Sequence, residues 1–178
     1  MINRLIRTGV LLGCLAATRL WADAPASFKV SDFTFTRPLN WEWVPTSSSM
    51  RKAQLKVTDA KSKASAEVVF FYFGPGQGGD AAANVERWLN QFEEPRDKIN
   101  AKTETVTVGK HKVTFVQGEG TYRSGMPGMA QTPMAGYGLA GAIIEDSQGN
   151  VFVRMTGPKD VVKASLADFK KMVESGLK

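Results

Sequence analysis

The run Ala66-Glu67-Val68-Val69-Phe70-Phe71-Tyr72-Phe73 constrains the fold more than any other stretch of the chain. Its last six residues are apolar in succession, so they cannot alternate between a core and solvent. That pattern predicts a strand covered on both faces and central in its sheet. Gly74-Pro75-Gly76-Gln77-Gly78-Gly79 follows, and Asp80 then opens a helical pattern. Loops at the ends of strands are where open α/β sheets often hold ligands, so this turn is the first place to look for a site.

The segments around that strand alternate with the period of an antiparallel sheet. Phe28-Lys29-Val30, Phe33-Thr34-Phe35 and Trp41-Glu42-Trp43-Val44 read as short strands. Ala53, Leu55 and Val57 share one face of Arg51–Thr58, which makes a hairpin with the central strand through a polar turn at 59–63. Thr103–Val108 and Lys112–Tyr122 form a second hairpin around Gly109-Lys110. Tyr137–Glu145 and Asn150–Thr156 form a third. Between them, 124–136 reads as a Gly/Pro/Met loop, long enough to be either functional or mobile.

Two helices complete the pattern. Asp80 caps the first, in which Ala81, Val85, Trp88, Leu89 and Phe92 share a face, and Pro95 sets its far limit. Gly157-Pro158 starts the second, with proline at the favoured first position, Val162, Leu166, Phe169 and Val173 as its stripe, and Gly176 as its cap. The expected fold is α+β: a mostly antiparallel sheet of about six main strands with helices packed on it. No repeat or second domain is visible, and residues 23–178 are expected to form one domain.

The ends bear on compartment. Arg4 and Arg7, an apolar stretch from Val10 to Ala17 and small residues near Ala22 to Ala26 describe a secretory signal peptide over residues 1–22, cleaved between 22 and 26. The alternative is a soluble amphipathic N-terminal helix. Leu11-Leu12-Gly13-Cys14 also resembles a lipoprotein signal, but Leu12 is bulky where that pattern wants a small residue, and apolar residues continue past Cys14. The reading is therefore export to the periplasm or medium rather than anchoring through Cys14.

Cleavage removes Cys14, leaving no thiol for a disulfide, a nucleophile or a cysteine-bound metal. It also removes Arg4, Arg7 and Arg19, leaving 20 basic against 17 acidic residues, a net +3. That balance is mild and scattered, so nucleic acid is not an expected partner. No later stretch approaches the roughly 20 apolar residues of a membrane span. His111, beside a hairpin turn, is expected to be exposed and without a role.

The order of elements resembles the PsbP-like fold. The resemblance rests on Gly141-Ala142-Ile143-Ile144 and Phe152-Val153-Arg154-Met155, running into Thr156-Gly157-Pro158 and a terminal amphipathic helix. Phe73 to Gly79 with Asn84, Arg87 and Trp88 looks like a group of uncharacterised secreted bacterial proteins of that fold. The resemblance covers most of residues 28–177 and implies an α/β/α sandwich. It carries no catalytic residues.

Two features invite a binding role. Gly74, Gly76 and Gly79 satisfy G-x-G-x-x-G, but the strands that follow form a hairpin instead of continuing a βαβ series, so a dinucleotide site is not expected. A softer expectation is an anion held by backbone N–H groups of Gly74, Gly76, Gly78 and Gly79, with Gln77, Asn84 and Arg87 assisting. Met126, Met129 and Met134 suit Cu(I), yet they are irregularly spaced and lack a nearby histidine, so no metal is assigned. No nucleophile, base and orienter fall together, and no cofactor is implied. The sequence reads as a monomeric, exported, non-catalytic domain binding a protein or envelope partner through 124–136 and the 74–80 turn. The alternative is a periplasmic module for a small ligand, an anion or copper.

Overall fold

The computed structural model describes residues 24–46, 48–125 and 130–178. The proposed signal peptide, Cys14, Met126 and Met129 lie outside them. The strands are β1 (Ser27–Val30), β2 (Phe33–Thr36), β3 (Glu42–Trp43), β4 (Arg51–Thr58), β5 (Ser65–Tyr72), β6 (Lys102–Val108), β7 (His111–Ser124), β8 (Thr132–Glu145) and β9 (Val151–Pro158). The helices are α1 (Ala81–Leu89) and α2 (Lys159–Ser175), with a short 3-10 turn at Arg96–Lys98.

Seven strands form one antiparallel sheet in the order β3-β4-β5-β9-β8-β7-β6, and β1-β2 is a separate hairpin. The fold is therefore α+β, with one more strand in the main sheet than expected. β9, the last strand in the chain, holds the middle position, and β5 stands beside it. The side-chain alternation of each strand sends its residues to two cores on opposite faces.

On one face α2 and the β1-β2 hairpin cover Leu55, Val68, Phe70, Val153 and Met155. Phe28 and Phe35 bring the hairpin onto Phe70 at ring-centroid distances of 5.0 and 4.9 Å. Trp41 and Trp43 belong to this same core and line no groove. On the other face α1 lays Trp88 and Leu89 over β7, β8 and β9. The strands make room with glycine: a Cβ on Gly141 would lie 2.3 Å from the Trp88 ring, and one on Gly118 would lie 2.9 Å from Phe92. A strand glycine is a packing device where an aromatic must lie flat on a sheet.

α1 covers only part of its face, which corrects the reading of the apolar run. Val68, Val69 and Phe70 are buried, but Phe71 and Tyr72 are half-buried and Phe73 is 42% exposed. Beyond α1 that face of β4 and β5 carries a polar network: Arg51 Nη1 donates to Glu67 Oε1 at 2.7 Å and Gln54 Nε2 to the same oxygen at 2.9 Å.

Element limits differ where proline and glycine were read as loop. β8 begins at Thr132, so the expected 124–136 loop shrinks to 125–131. Pro133 is tolerated because β8 pairs there with β7 alone (Arg123↔Pro133), while pairing with β9 starts at Tyr137. α1 stops at Leu89, and Phe92 bridges to Tyr122 instead of continuing the helix. Pro158 ends β9 and caps α2, one position earlier than expected. Gly176 is right-handed, and its reason is the Phe35 ring, 2.6 Å from where a Cβ would stand.

Candidate functional site

The glycine-rich turn has a full account in its own packing. Gly74, Gly76, Gly78 and Gly79 all adopt positive φ, between 68° and 97°. Glycine alone takes that geometry at no steric cost. Asp80 caps α1, its carboxylate accepting from Ala83 N at 2.8 Å. Asn84 is 1% exposed; its Nδ2 donates to Gly78 O and Asp80 O, each at 2.8 Å, and its Oδ1 accepts from Arg87. Asn150 Nδ2 reaches Gly79 O at 3.3 Å, tying the turn to the β8-β9 connection. Thus Asn84 and Arg87 are brought together with the turn, with both Asn84 donors turned onto turn carbonyls. Gln77 is exposed, and its backbone N–H closes the turn on Gly74 O at 3.2 Å.

Met134, the described member of the methionine set, lies half-buried in β8 opposite Tyr122. Among the described residues no three His, Cys, Asp or Glu side chains gather as a metal would need. His111 differs from expectation: its side chain is 11% exposed, Nδ1 stands 3.3 Å from Asp146 Oδ2, and its ring meets Phe33 edge-on at 5.0 Å. The turn position suggested exposure, but the β1-β2 hairpin packs over it.

Carboxylates that looked available are held by local donors. Glu94 accepts Thr121 N with both oxygens, at 2.8 and 2.9 Å, and this backbone bond holds its carboxyl below the usual range. Gly120 leaves the space, since a Cβ there would lie 2.5 Å from Glu94 Oε2. Gln91 Oε1 accepts from Tyr122 OH at 2.9 Å and Arg154 Nη1 at 3.1 Å, pinning the segment after α1 to the sheet. Burial raises the Tyr122 phenol above its ordinary value.

A concavity lies elsewhere, between α2 and the start of β6. It encloses about 490 Å³ and is walled by Lys159, Lys163 and Leu166 of α2, with Asn100, Lys102 and Glu119 opposite. An adjoining concavity follows Lys102 to Glu104 along β6, over Phe115 and Gln117. Glu119 is the fixed point: Asn100 Nδ2 donates to Oε1 at 2.6 Å and Lys163 Nζ stands 2.7 Å from Oε2. Lys163, then Asn100, hold its carboxyl below the usual range, with Lys159 adding a weaker pull. Lys170 pairs with Glu104 at 2.8 Å and lies 5.0 Å over the Phe115 ring. Sequence reasoning missed this groove, although Lys159, Lys163, Leu166 and Lys170 recur at helical spacing on one side of α2.

β6 borders the groove and ends the sheet. Its two-residue turn, Gly109-Lys110, makes Val108 and His111 a hydrogen-bonded pair. Bonded pairs then alternate, so Val106 and Glu104 point their backbone groups at β7, while Thr103, Thr105 and Thr107 point theirs outward. Among the described residues no strand takes up those outward groups.

Among the described residues the architecture is an α+β protein with a helix on each face of an antiparallel sheet that ends in β3 on one side and, beside a lysine-lined groove, in β6 on the other. The solution structure of cyanobacterial PsbP (CyanoP) from Synechocystis sp. PCC 6803 is similar at a TM-score of 0.49 and 11% identity, covering 86% of this chain and 94% of that one. The crystal structure of LpqN, involved in cell envelope biogenesis of Mycobacterium tuberculosis, is similar at 0.47 and 14% identity, covering 79% and 78%. These likenesses concern the fold. The chain matches no protein-family model and no curated protein.

Proposed function

We propose that the chain is an exported, non-catalytic module, residues 1–22 being removed and 23–178 forming one domain, that binds an extended segment of a protein or envelope partner. The observation that carries this reading is the outward row of backbone groups on β6. Among the described residues β6 is an unpaired edge of seven residues, an open template for another strand; natural proteins usually guard such edges with charges, proline, bulges or a covering element, and the charges of β6, Lys102 and Glu104, both fall in its first three residues. β6 has no proline, and its register with β7 runs unbroken from Lys102 to Val108. The opposite side of the sheet offers a shorter and less regular edge: β3 is two residues long and pairs only with Leu55 and Lys56 of β4, and β4 carries a bulge between Arg51 and Ala53. Strand addition binds a partner through main-chain bonds and takes specificity from alternate side chains.

The module reading also draws on the chain's only histidine, which is engaged by Asp146 and packed on Phe33. No helix among the described residues is long and apolar enough to cross a membrane. The test is site-directed photocross-linking in the native envelope from Thr107 on β6 and from Lys52 on β4. Cross-links from Thr107 alone, lost on Thr105→Pro, are expected. Equal labelling from both edges, or labelling that survives Thr105→Pro, overturns strand addition.

A further inference from the structure

The free edge and the groove share residues Lys102 to Glu104, so one occupant meets both. Side chains alternate along β6: Thr103, Thr105 and Thr107 face the α1 side, while Lys102, Glu104, Val106 and Val108 face the α2 side. A segment paired outside β6 places its own alternate residues beside Lys102 and Glu104, at the mouth of the groove. Charge there is one-sided. Lys102, Lys159, Lys163 and Lys170 stand against Glu104 and Glu119. Glu119 is taken by Lys163 and Glu104 by Lys170. Lys102 and Lys159 have no carboxylate within 4.0 Å among the described residues. Two positive charges are thus left facing the space that the added segment's side chains enter.

We infer that the segment taken up by β6 is acidic, its carboxylates on the α2 side meeting Lys102 and Lys159 while its backbone completes the sheet edge. This rests on the strand-addition reading and adds the chemistry of the partner. Leu166 and Val162 give the groove an apolar wall, so an aliphatic residue between two acids is accommodated on the same side. Glu119 sets the limit of the positive field: it fixes Lys163 in place and attracts Lys159 only from beyond 4.0 Å.

The test uses labelled peptides of alternating Glu and Thr, or of alternating Gln and Thr, seven residues long like β6. Binding is read by fluorescence anisotropy at low salt. The Glu-Thr peptide is expected to bind more tightly than the Gln-Thr peptide. The Lys102→Gln/Lys159→Gln variant is expected to weaken it about tenfold, the loss of two exposed charge pairs, while leaving the Glu119 clamp intact. Thr105→Pro is expected to abolish binding of both. Equal binding of the two peptides, unaffected by the lysine changes but lost on Thr105→Pro, overturns the acidic preference and leaves strand addition standing. Glu-Thr binding that survives Thr105→Pro overturns strand addition as well. Neither peptide binding at millimolar concentration overturns the inference. Self-association abolished by Thr105→Pro also overturns it, since the occupant is then a second copy of the chain.

Discussion

At the scale of single residues, much of this protein's chemistry is spent on holding itself together. Asn84 was a candidate ligand group, yet its two amide hydrogens end on Gly78 O and Asp80 O. Asn84→Ala takes the side-chain donor from Gly78 O and leaves Asp80 O only the residue's backbone N–H, and should destabilise the protein by about 1–3 kcal/mol, read by denaturant unfolding. Gly141→Ala should cost a similar amount, about 1–3 kcal/mol, because the new methyl meets the Trp88 ring. The thermal midpoint should then fall by about 2–10 °C. The carboxyls of Glu94 and Glu119 lie below their ordinary value of 4.5 in the folded state. A lowered folded value means that the unfolded chain binds more protons, so this part of the stability is complete above pH 4.5 and drains away as pH falls through the folded values. Unfolding followed between pH 6 and pH 2 should show that loss, and Glu119→Gln should flatten it.

At the scale of elements, the edge strand makes a sharp prediction from backbone phase alone. Thr105 N–H points outward, so Thr105→Pro removes no ladder bond and should cost about 1 kcal/mol or less. Val106 N–H faces β7, so Val106→Pro breaks the ladder and should cost about 3 kcal/mol or more. Chemical denaturation of the two neighbours separates the cases. The elements themselves were largely legible, since period two in Arg51–Thr58 and the apolar stripe of α2 each report one buried face. What was not legible depended on neighbours. Thr132–Gly136 reads as loop because Pro133 and Gly136 punctuate it, and it becomes strand because β7 is long enough to pair with it. Lys159, Lys163 and Lys170 look like ordinary solvated positions of a helix. They line a groove only because the strand order carries β6 to their side. Strand order is a product of packing, and no local pattern in Lys102–Val108 announces an edge.

At the scale of the whole molecule, the sheet is assembled out of chain order. β5 and β8 are separated by 59 residues, from Tyr72 to Thr132, and meet only through β9. Removing Val151–Lys178 should therefore leave no cooperatively folding remainder rather than a trimmed domain, as a flat thermal melt and rapid proteolysis would show. Both halves of the sheet would then present unpaired edges beside uncovered aromatics. The same arrangement makes time a property of the fold. Each half-sheet waits for β9, which follows the other strands in the chain, and pairings this distant form slowly, on the millisecond-to-second scale. A chain of this design stays unlocked until β9 is in place. A keystone that follows the strands it joins is a built-in delay in closing the sheet.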